Sequence, residues 1–241
     1  SSELAPDEQG EFYHRYMLGV YNLADRLTKA FPDVFFEGCA SGGGRFDAGM
    51  LYYFPQIWTS DDTDAYERSR VQWGTATCYP QSAMSCHVSA CPNHQTRRVT
   101  PLHTRGVVAS LGPTGYELDP TKLTDEEVAE VASQIREYEK VADLILKGDS
   151  YRLCSPFDGN YFVQMIVSKD KKQAYVCGVR IHGVPCDYDN FVALTGLSEG
   201  LTYRMEELDI TASGKALTTI GVRLPRLPDF GAWTWHVVAV D

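Results

Sequence analysis

Val34-Phe-Phe-Glu-Gly-Cys-Ala-Ser-Gly-Gly-Gly-Arg-Phe-Asp47 is followed closely by Tyr53-Phe-Pro-Gln-Ile-Trp-Thr-Ser-Asp-Asp-Thr-Asp64. Both stretches follow one pattern: a short apolar run ends in a turn rich in Gly or Asp. A strand that is apolar at nearly every position suits a parallel sheet covered on both faces. In such α/β folds the loops after the strand C-termini surround the site. Residues 39–47 and 60–64 therefore read as two neighbouring loops over one pocket.

Working outward, residues 11–31 form a predicted helix. Tyr13, Tyr16, Met17, Val20, Leu23, Ala24 and Leu27 recur at steps of three and four, and Pro32 stops the pattern. Strands are expected at 34–37, 56–59, 85–90 and 115–118, and a helical turn at 48–53. Further helices are expected at 65–77, 102–110 and 123–146. Asp64 or Thr63 caps the first of these. The last has the strongest signal: Thr124 and Glu127 stand in a capping-box relation and Gly148 ends it. Four strand–helix units are half of what a closed (β/α)8 barrel needs, since such barrels run to about 250 residues. Residues 1–147 thus read as the second half of a barrel.

After Gly148 the texture changes. Strand-like runs occur at 151–153, 160–168, 173–181, 191–194, 202–207, 217–222 and 233–240, with a charged turn at 170–172 and no amphipathic helix. Regularly spaced short strands of this kind predict an antiparallel β-sandwich over 148–241. The expected fold class is α/β plus all-β.

The formal net charge of -10 and a pI near 5.1 argue against nucleic acid or an anionic membrane as partner. No apolar run approaches the 18 or so residues of a membrane span. A neutral ligand such as a sugar is compatible with this balance. Seven cysteines, at 39, 78, 86, 91, 154, 177 and 186, are odd in number and follow no framework spacing. That predicts free thiols in a reducing, cytoplasmic compartment. The chain opens acidic and polar, unlike a signal peptide, and without an initiator Met, so a fragment is expected.

Asp61, Asp62 and Asp64 have two readings. One is a carboxylate for general acid/base work on a glycoside. The other is helix capping, which spacing alone favours. Division of labour, one Asp in the pocket and another at the cap, satisfies both. Three glycines after Cys39 let backbone amides approach a ligand, or form a flexible turn. The stretch lacks the spacing of a phosphate-binding or dinucleotide loop. Arg45 and Asp47 suit a mutual ion pair as well as a ligand contact. Cys78, Cys86, His87, Cys91 and His94 lack the tight pairs of a zinc site and read as core thiols with a loop histidine. No GxSxG elbow is present.

Glu37-Gly-Cys-Ala-Ser-Gly-Gly-Gly-Arg-Phe-Asp-Ala-Gly-Met-Leu-Tyr-Tyr-Phe-Pro-Gln-Ile-Trp-Thr-Ser-Asp-Asp-Thr-Asp-Ala-Tyr-Glu-Arg68 closely resembles the catalytic barrel of glycoside hydrolase family 36 α-galactosidases of bacterial type. The likeness continues through Val88-Ser-Ala-Cys-Pro-Asn-His-Gln-Thr96, Pro101-Leu-His-Thr-Arg-Gly106 and Gly115-Tyr-Glu-Leu-Asp119. Leu153-Cys-Ser-Pro-Phe-Asp-Gly-Asn-Tyr161 resembles the entry to that family's C-terminal sandwich. The resemblance implies a retaining hydrolase of terminal α-galactosides that uses two Asp residues and no cofactor or metal. It implies Asp61 as acid/base, Cys39, Ser41, Gly42 and Gly43 as the loop touching the galactosyl unit, and Trp58 as a pocket wall.

The chain also departs from the family pattern. The nucleophile is expected in a Lys-Trp-Asp strand end, and no Lys-Trp-Asp occurs in these 241 residues. The chain is therefore expected to be the C-terminal third of an enzyme, inactive alone. Its expected partners are an α-galactoside, the missing N-terminal part and, in the whole protein, further copies of itself. Three alternatives are a non-catalytic carbohydrate-binding or assembly fragment, a galactosyltransferase and an α-N-acetylgalactosaminidase.

Overall fold

A computed structural model describes residues 1–187 and 190–240 and divides the chain into two compact units, Ser1–Thr59 and Ser60–Asp241. Helix α1 (Phe12–Ala30) dominates the first unit, followed by β1 (Glu37–Gly38), the single turn α2 (Ala40–Gly43), α3 (Ala48–Tyr53) and β2 (Gln56–Trp58). The two strands are parallel, with Glu37 opposite Gln56 and Gly38 opposite Ile57. Asp47 locks the helices together. Its Oδ1 accepts the Met50 amide at 2.9 Å, capping α3, and the Tyr21 hydroxyl of α1 at 3.2 Å.

The apolar run at 34–36 is not strand. Val34 and Phe35 are 52% and 65% exposed, and the Val34 amide bonds back to the Phe31 carbonyl in a turn. A strand needs a paired neighbour, and the ladder to β2 begins only at Glu37.

The second unit opens with the remaining strand–helix alternation: α4 (Ala65–Thr75), β3 (Met84–Ser89), α5 (Leu102–Ala109), β4 (Thr114–Glu117) and α6 (Asp125–Lys147). Strands β3 and β4 are parallel, with Val88 opposite Tyr116. Helix α6 begins with the predicted capping box: the Thr124 amide donates to Glu127 Oε2 at 3.0 Å and the Glu127 amide to Thr124 Oγ1 at 3.3 Å. Gly148 ends it in extended rather than left-handed backbone, at φ -75°. A Cβ there would lie 2.5 Å from Ile166 Cγ2.

Next comes a six-stranded antiparallel sheet of β5 (Asp149–Cys154), β6 (Tyr161–Val167), β7 (Gln173–Arg180), β9 (Thr202–Met205), β10 (Ile210–Ser213) and β12 (Gly231–Ala239). Its order is β10-β9-β12-β7-β6-β5. A ribbon pairs β8 (Phe191–Val192) with β11 (Val222–Arg223). The run at 217–222 is not one strand. It lies across the end of helix α7 (Gly214–Thr219), whose N-cap Ser213 accepts the Ala216 amide at 3.2 Å.

Both faces of the sheet are covered, and β6 shows how. Tyr161, Val163, Met165 and Val167 join Val192, Leu217, Val222, Trp233 and Trp235 in one core. The alternate residues Phe162 and Ile166 join Val107, Val108 and Leu111 around α5, Val141 and Ile145 of α6, and Tyr175 and Cys177 of β7. A period of two serves two cores at once. Each such side chain contributes roughly 1.5–3 kcal/mol on burial. Trp233 fits only because Gly178 faces it across the β7–β12 ladder. A Cβ at Gly178 would lie 2.1 Å from Trp233 Cζ2. Gly178→Ala is expected to cost about 2–3 kcal/mol by overpacking, read from urea unfolding midpoints. An unchanged midpoint would show that the tryptophan has room to move.

Candidate active site

The predicted site residues divide between the units. Cys39, Ser41, Gly42, Gly43 and Trp58 lie in the first, and Asp61 is the second residue of the second. Each group is described with its own unit.

In the first unit the Gly-rich loop is a left-handed helical turn. Ala40, Ser41, Gly42 and Gly43 have φ of 61°, 55°, 68° and 90°. The Gly43 amide donates to the Cys39 carbonyl at 3.1 Å, and the Gly44 amide to the Ala40 carbonyl at 3.0 Å. L-residues resist this hand by roughly 1–2 kcal/mol each, so Ala40 and Ser41 are strained while the glycines are not. The amides of Ala40, Ser41 and Gly42 have no acceptor among the described residues, as expected at the start of any helical turn. The turn follows β1 and packs on the end of β2. A Cβ on Gly43 would lie 2.9 Å from the Thr59 carbonyl oxygen and 3.3 Å from that of Trp58. The structure therefore brings Gly43 and Trp58 together. Trp58 is buried and Cys39 exposed. Arg45 and Asp47 do not pair: Arg45 donates to the Tyr16 hydroxyl at 3.1 Å, and Asp47 caps α3.

In the second unit the three aspartates have separate roles. Asp64 is buried and caps α4, its Oδ1 accepting the Tyr66 and Glu67 amides at 2.9 and 3.3 Å. Asp62 Oδ1 accepts the Asp64 amide at 3.0 Å and shapes the loop. Asp61 is exposed, and its carboxylate has no hydrogen bond or ion pair among the described residues. The residues around it are held. Arg68 Nη1 donates to the Ser60 carbonyl at 3.0 Å, and the Asp62 amide to Ser60 Oγ at 3.1 Å. Asn93 Nδ2 donates to Thr63 Oγ1 at 3.0 Å, and the Thr63 amide to Gln95 Oε1 at 3.3 Å. A fixed loop thus presents one carboxylate with its hydrogen-bonding capacity unused. That arrangement suits proton transfer to an incoming ligand.

Arg68, Asn93, Gln95 and Thr96 belong to this site and were missed as functional residues. Asn93, Gln95 and Thr96 fall within the quoted family-like stretch, but no local spacing links them to Asp64. Arg68 is buried beside the Cys86 thiol and also donates to the Ser85 carbonyl at 2.8 Å. Burial pushes the Cys86 thiol from 9.0 up to about 11, although the Arg68 guanidinium pulls it down. Of the other thiol and imidazole candidates, Cys78 is exposed, Cys91 half-buried and His87 3.6 Å from Glu117. Among the described residues no three His, Cys, Asp or Glu side chains converge as a metal site.

The chain is similar to known proteins along its whole length. Residues 1–148 match the family model Melibiase, and residues 161–237 match the model of the glycosyl hydrolase family 36 C-terminal domain. Alpha-galactosidase AgaA of Geobacillus stearothermophilus is 47% identical over the whole chain, which covers 33% of that protein. A crystal structure of a variant of the same enzyme in complex with raffinose superposes with a TM-score of 0.95 at 47% identity, again over 100% of this chain and 33% of that one. A fungal relative, the probable alpha-galactosidase G of Emericella nidulans, is 44% identical over 91% of the chain and 30% of its own length. The similarity therefore extends beyond bacteria. The chain belongs to glycoside hydrolase family 36, the family of these α-galactosidases. It spans about a third of the length of the curated relatives it matches.

Two predictions follow from the local geometry. Gly43→Ala adds a Cβ at φ 90° against a backbone oxygen and is expected to lower stability by about 1–3 kcal/mol. Gly19→Ala, in α1 with open space around it, should raise stability by roughly 0.5–1 kcal/mol. Thermal melts of the two variants against the parent check both signs. Cys86 gives the second prediction. Its folded pKa lies above the unfolded value, so its contribution is complete below about pH 9 and is lost as pH rises through about 11. Between those limits the parent should lose roughly 2–3 kcal/mol more than Cys86→Ala, by urea titration at each pH.

Proposed function

We propose that this chain is part of a retaining α-galactosidase that hydrolyses terminal α-D-galactosyl residues of galacto-oligosaccharides of the melibiose and raffinose type. The observation that carries the reading is the carboxylate of Asp61, without a partner among the described residues, in a loop held on both sides. The match of the whole chain to a third of an α-galactosidase supports it. Residues 1–147 are read as the C-terminal half of the catalytic (β/α)8 barrel and 148–241 as the C-terminal β-sandwich. Parallel pairing of β1 with β2 and of β3 with β4 supports the first part, and the antiparallel sheet with its facing ribbon supports the second.

Asp61 acts as acid and then as base. It protonates the leaving oxygen while a carboxylate from outside this chain attacks the anomeric carbon. It then takes a proton from the water that releases galactose. Retention needs the two carboxyls about 5–5.5 Å apart. Cys39, Ser41, Gly42 and Gly43 contact the galactosyl unit, offering uncharged donors to a neutral sugar, and Trp58 walls the pocket. The rest of the enzyme is the principal partner. The exposed Tyr13, Leu18, Leu23, Phe35 and Tyr52 of the first unit are the kind of surface that it would cover. The seven free thiols support a reducing, cytoplasmic setting, and the whole protein is read as a homo-oligomer.

The purified chain alone should not turn over p-nitrophenyl α-galactoside, because its nucleophile lies elsewhere. In the full-length enzyme, Asp61→Ala should lower kcat/KM on melibiose by roughly 10²–10⁴-fold, the usual worth of general acid catalysis. Azide should restore turnover of an aryl galactoside as galactosyl azide. Activity of Asp61→Ala near the parent's, or no response to azide, would remove Asp61 from the role.

A further inference from the structure

The Asp61 carboxylate makes no bond among the described residues, so its place depends on what holds its loop. The strongest hold is on Asp64. Besides capping α4, this buried carboxylate receives Arg98 Nη1 on Oδ1 at 2.5 Å and the Thr96 hydroxyl on Oδ2. Both donors come from one tight loop, closed by the Asn93 amide on the Arg98 carbonyl at 2.9 Å and by Asn93 Oδ1 on the Gln95 and Thr96 amides at 2.9 Å. The same loop provides the Asn93 and Gln95 side chains that hold Thr63.

Arg98 is itself fixed from the far end of the sequence. Its guanidinium lies 4.6 Å from the Tyr66 ring centroid and 5.7 Å from that of Phe230, and Nη2 lies 3.7 Å from Glu67. Phe230 immediately precedes β12. It sits in the left-handed region at φ 58°, a conformation that a bulky residue adopts only where its surroundings impose it. Those surroundings are visible. The Phe230 carbonyl accepts the Thr104 hydroxyl at 2.5 Å, its amide reaches the Ile181 carbonyl at 3.4 Å, and its ring meets Tyr66 edge-on at 5.8 Å. Strained backbone tends to occur where a side chain must be aimed.

We propose that Arg98 is a positioning residue for the acid/base, and that Phe230 makes the antiparallel-sheet region part of the same device. Arg98 joins Asp64, and through it the loop bearing Asp61, to a ring anchored at the start of β12. A planar guanidinium can accept a carboxylate at its edge and rings at its faces together, which lysine cannot do. This inference rests on the reading of Asp61 as acid/base.

Leaving-group dependence in the full-length enzyme tests it. In melibiose the leaving group is the glucose oxygen, which would depart as an alkoxide and needs the proton. In α-galactosyl fluoride the leaving group is fluoride, which needs it little. For Arg98→Met, kcat/KM on melibiose should fall roughly 30-fold, and on the fluoride less than about threefold, because a misplaced acid penalises only the first. Arg98→Lys should restore little of the loss. Removing Arg98 uncovers a buried carboxylate, so Phe230→Leu, which leaves the ion pair in place, is measured beside it and should show the same selectivity with a smaller loss. Circular dichroism establishes that each variant is folded. Equal losses on both substrates, or none, in folded Arg98→Met and Phe230→Leu would overturn the proposal. Asp61→Ala separates the two readings. If it lacks the melibiose-selective loss, the acid/base reading fails and this one with it. If it shows the loss and the other two variants do not, only the positioning role fails.

Discussion

Strand β6 must bury both of its faces, and much of the second unit follows from that. Tyr161-Phe-Val-Gln-Met-Ile-Val167 has no exposed residue. The even positions require a layer against them, which α5 and α6 supply. The odd positions require another, supplied by the β8–β11 ribbon, α7 and the β12 tryptophans. An antiparallel sheet can leave one face in water. This one does not, so the helices and the sheet share a core. A change in the sheet is therefore felt at the helices that carry the strand–helix loops.

That shared core explains how distant sequence reaches the Asp61 loop. Asp64 and Arg98 are 34 residues apart, and Thr104 and Phe230 are 126 apart. The Phe230 ring spans the distance directly, meeting Tyr66 and Arg98, and the core behind it holds that ring in place. Thr104 lies on α5, whose Val107 and Val108 pack against Phe162, and Phe230 leads into β12, which pairs with β7. Packed interiors transmit displacement because they have little free volume. A polar loop seated on such an interior is held more firmly than its own few hydrogen bonds would achieve.

Local signals were legible in the sequence, and long-range ones were not. The capping box of α6 needs only Thr124 and Glu127, and the periodicity of α1 needs only its own residues. Asp64 as a cap was also open to sequence reading, since Asp before a helix has few other local uses. The run at 34–36 misled because apolar content resembles a strand whether or not a partner is present. The run at 217–222 misled because β-branched residues outweighed the signal of Ser213 followed by Gly-Lys-Ala. That serine was a usable helix-start signal. Arg98 gave no comparable sign: an arginine in a polar loop reads as solvated until the fold places Asp64 against it.

The glycine-rich turn sets a different problem, because its glycines are not where the strain is. Gly42 and Gly43 take positive φ freely, while Ala40 and Ser41 take it at a cost. Were the turn only a reversal of direction, glycine at all four positions would be the cheaper solution. Two side chains are instead kept in the strained half. They stiffen the turn, since an L-residue forced into the left-handed region has few other states to visit. The glycines lie in the other half, where Gly43 meets the carbonyl oxygens of Trp58 and Thr59. The division is physical: side chains restrict Ala40 and Ser41, and the lack of one permits Gly43 to seat closely on β2. In the proposed contact with a galactosyl unit, a stiff array of neutral donors suits the neutral sugar better than a flexible one, because less conformational freedom remains to be lost on binding.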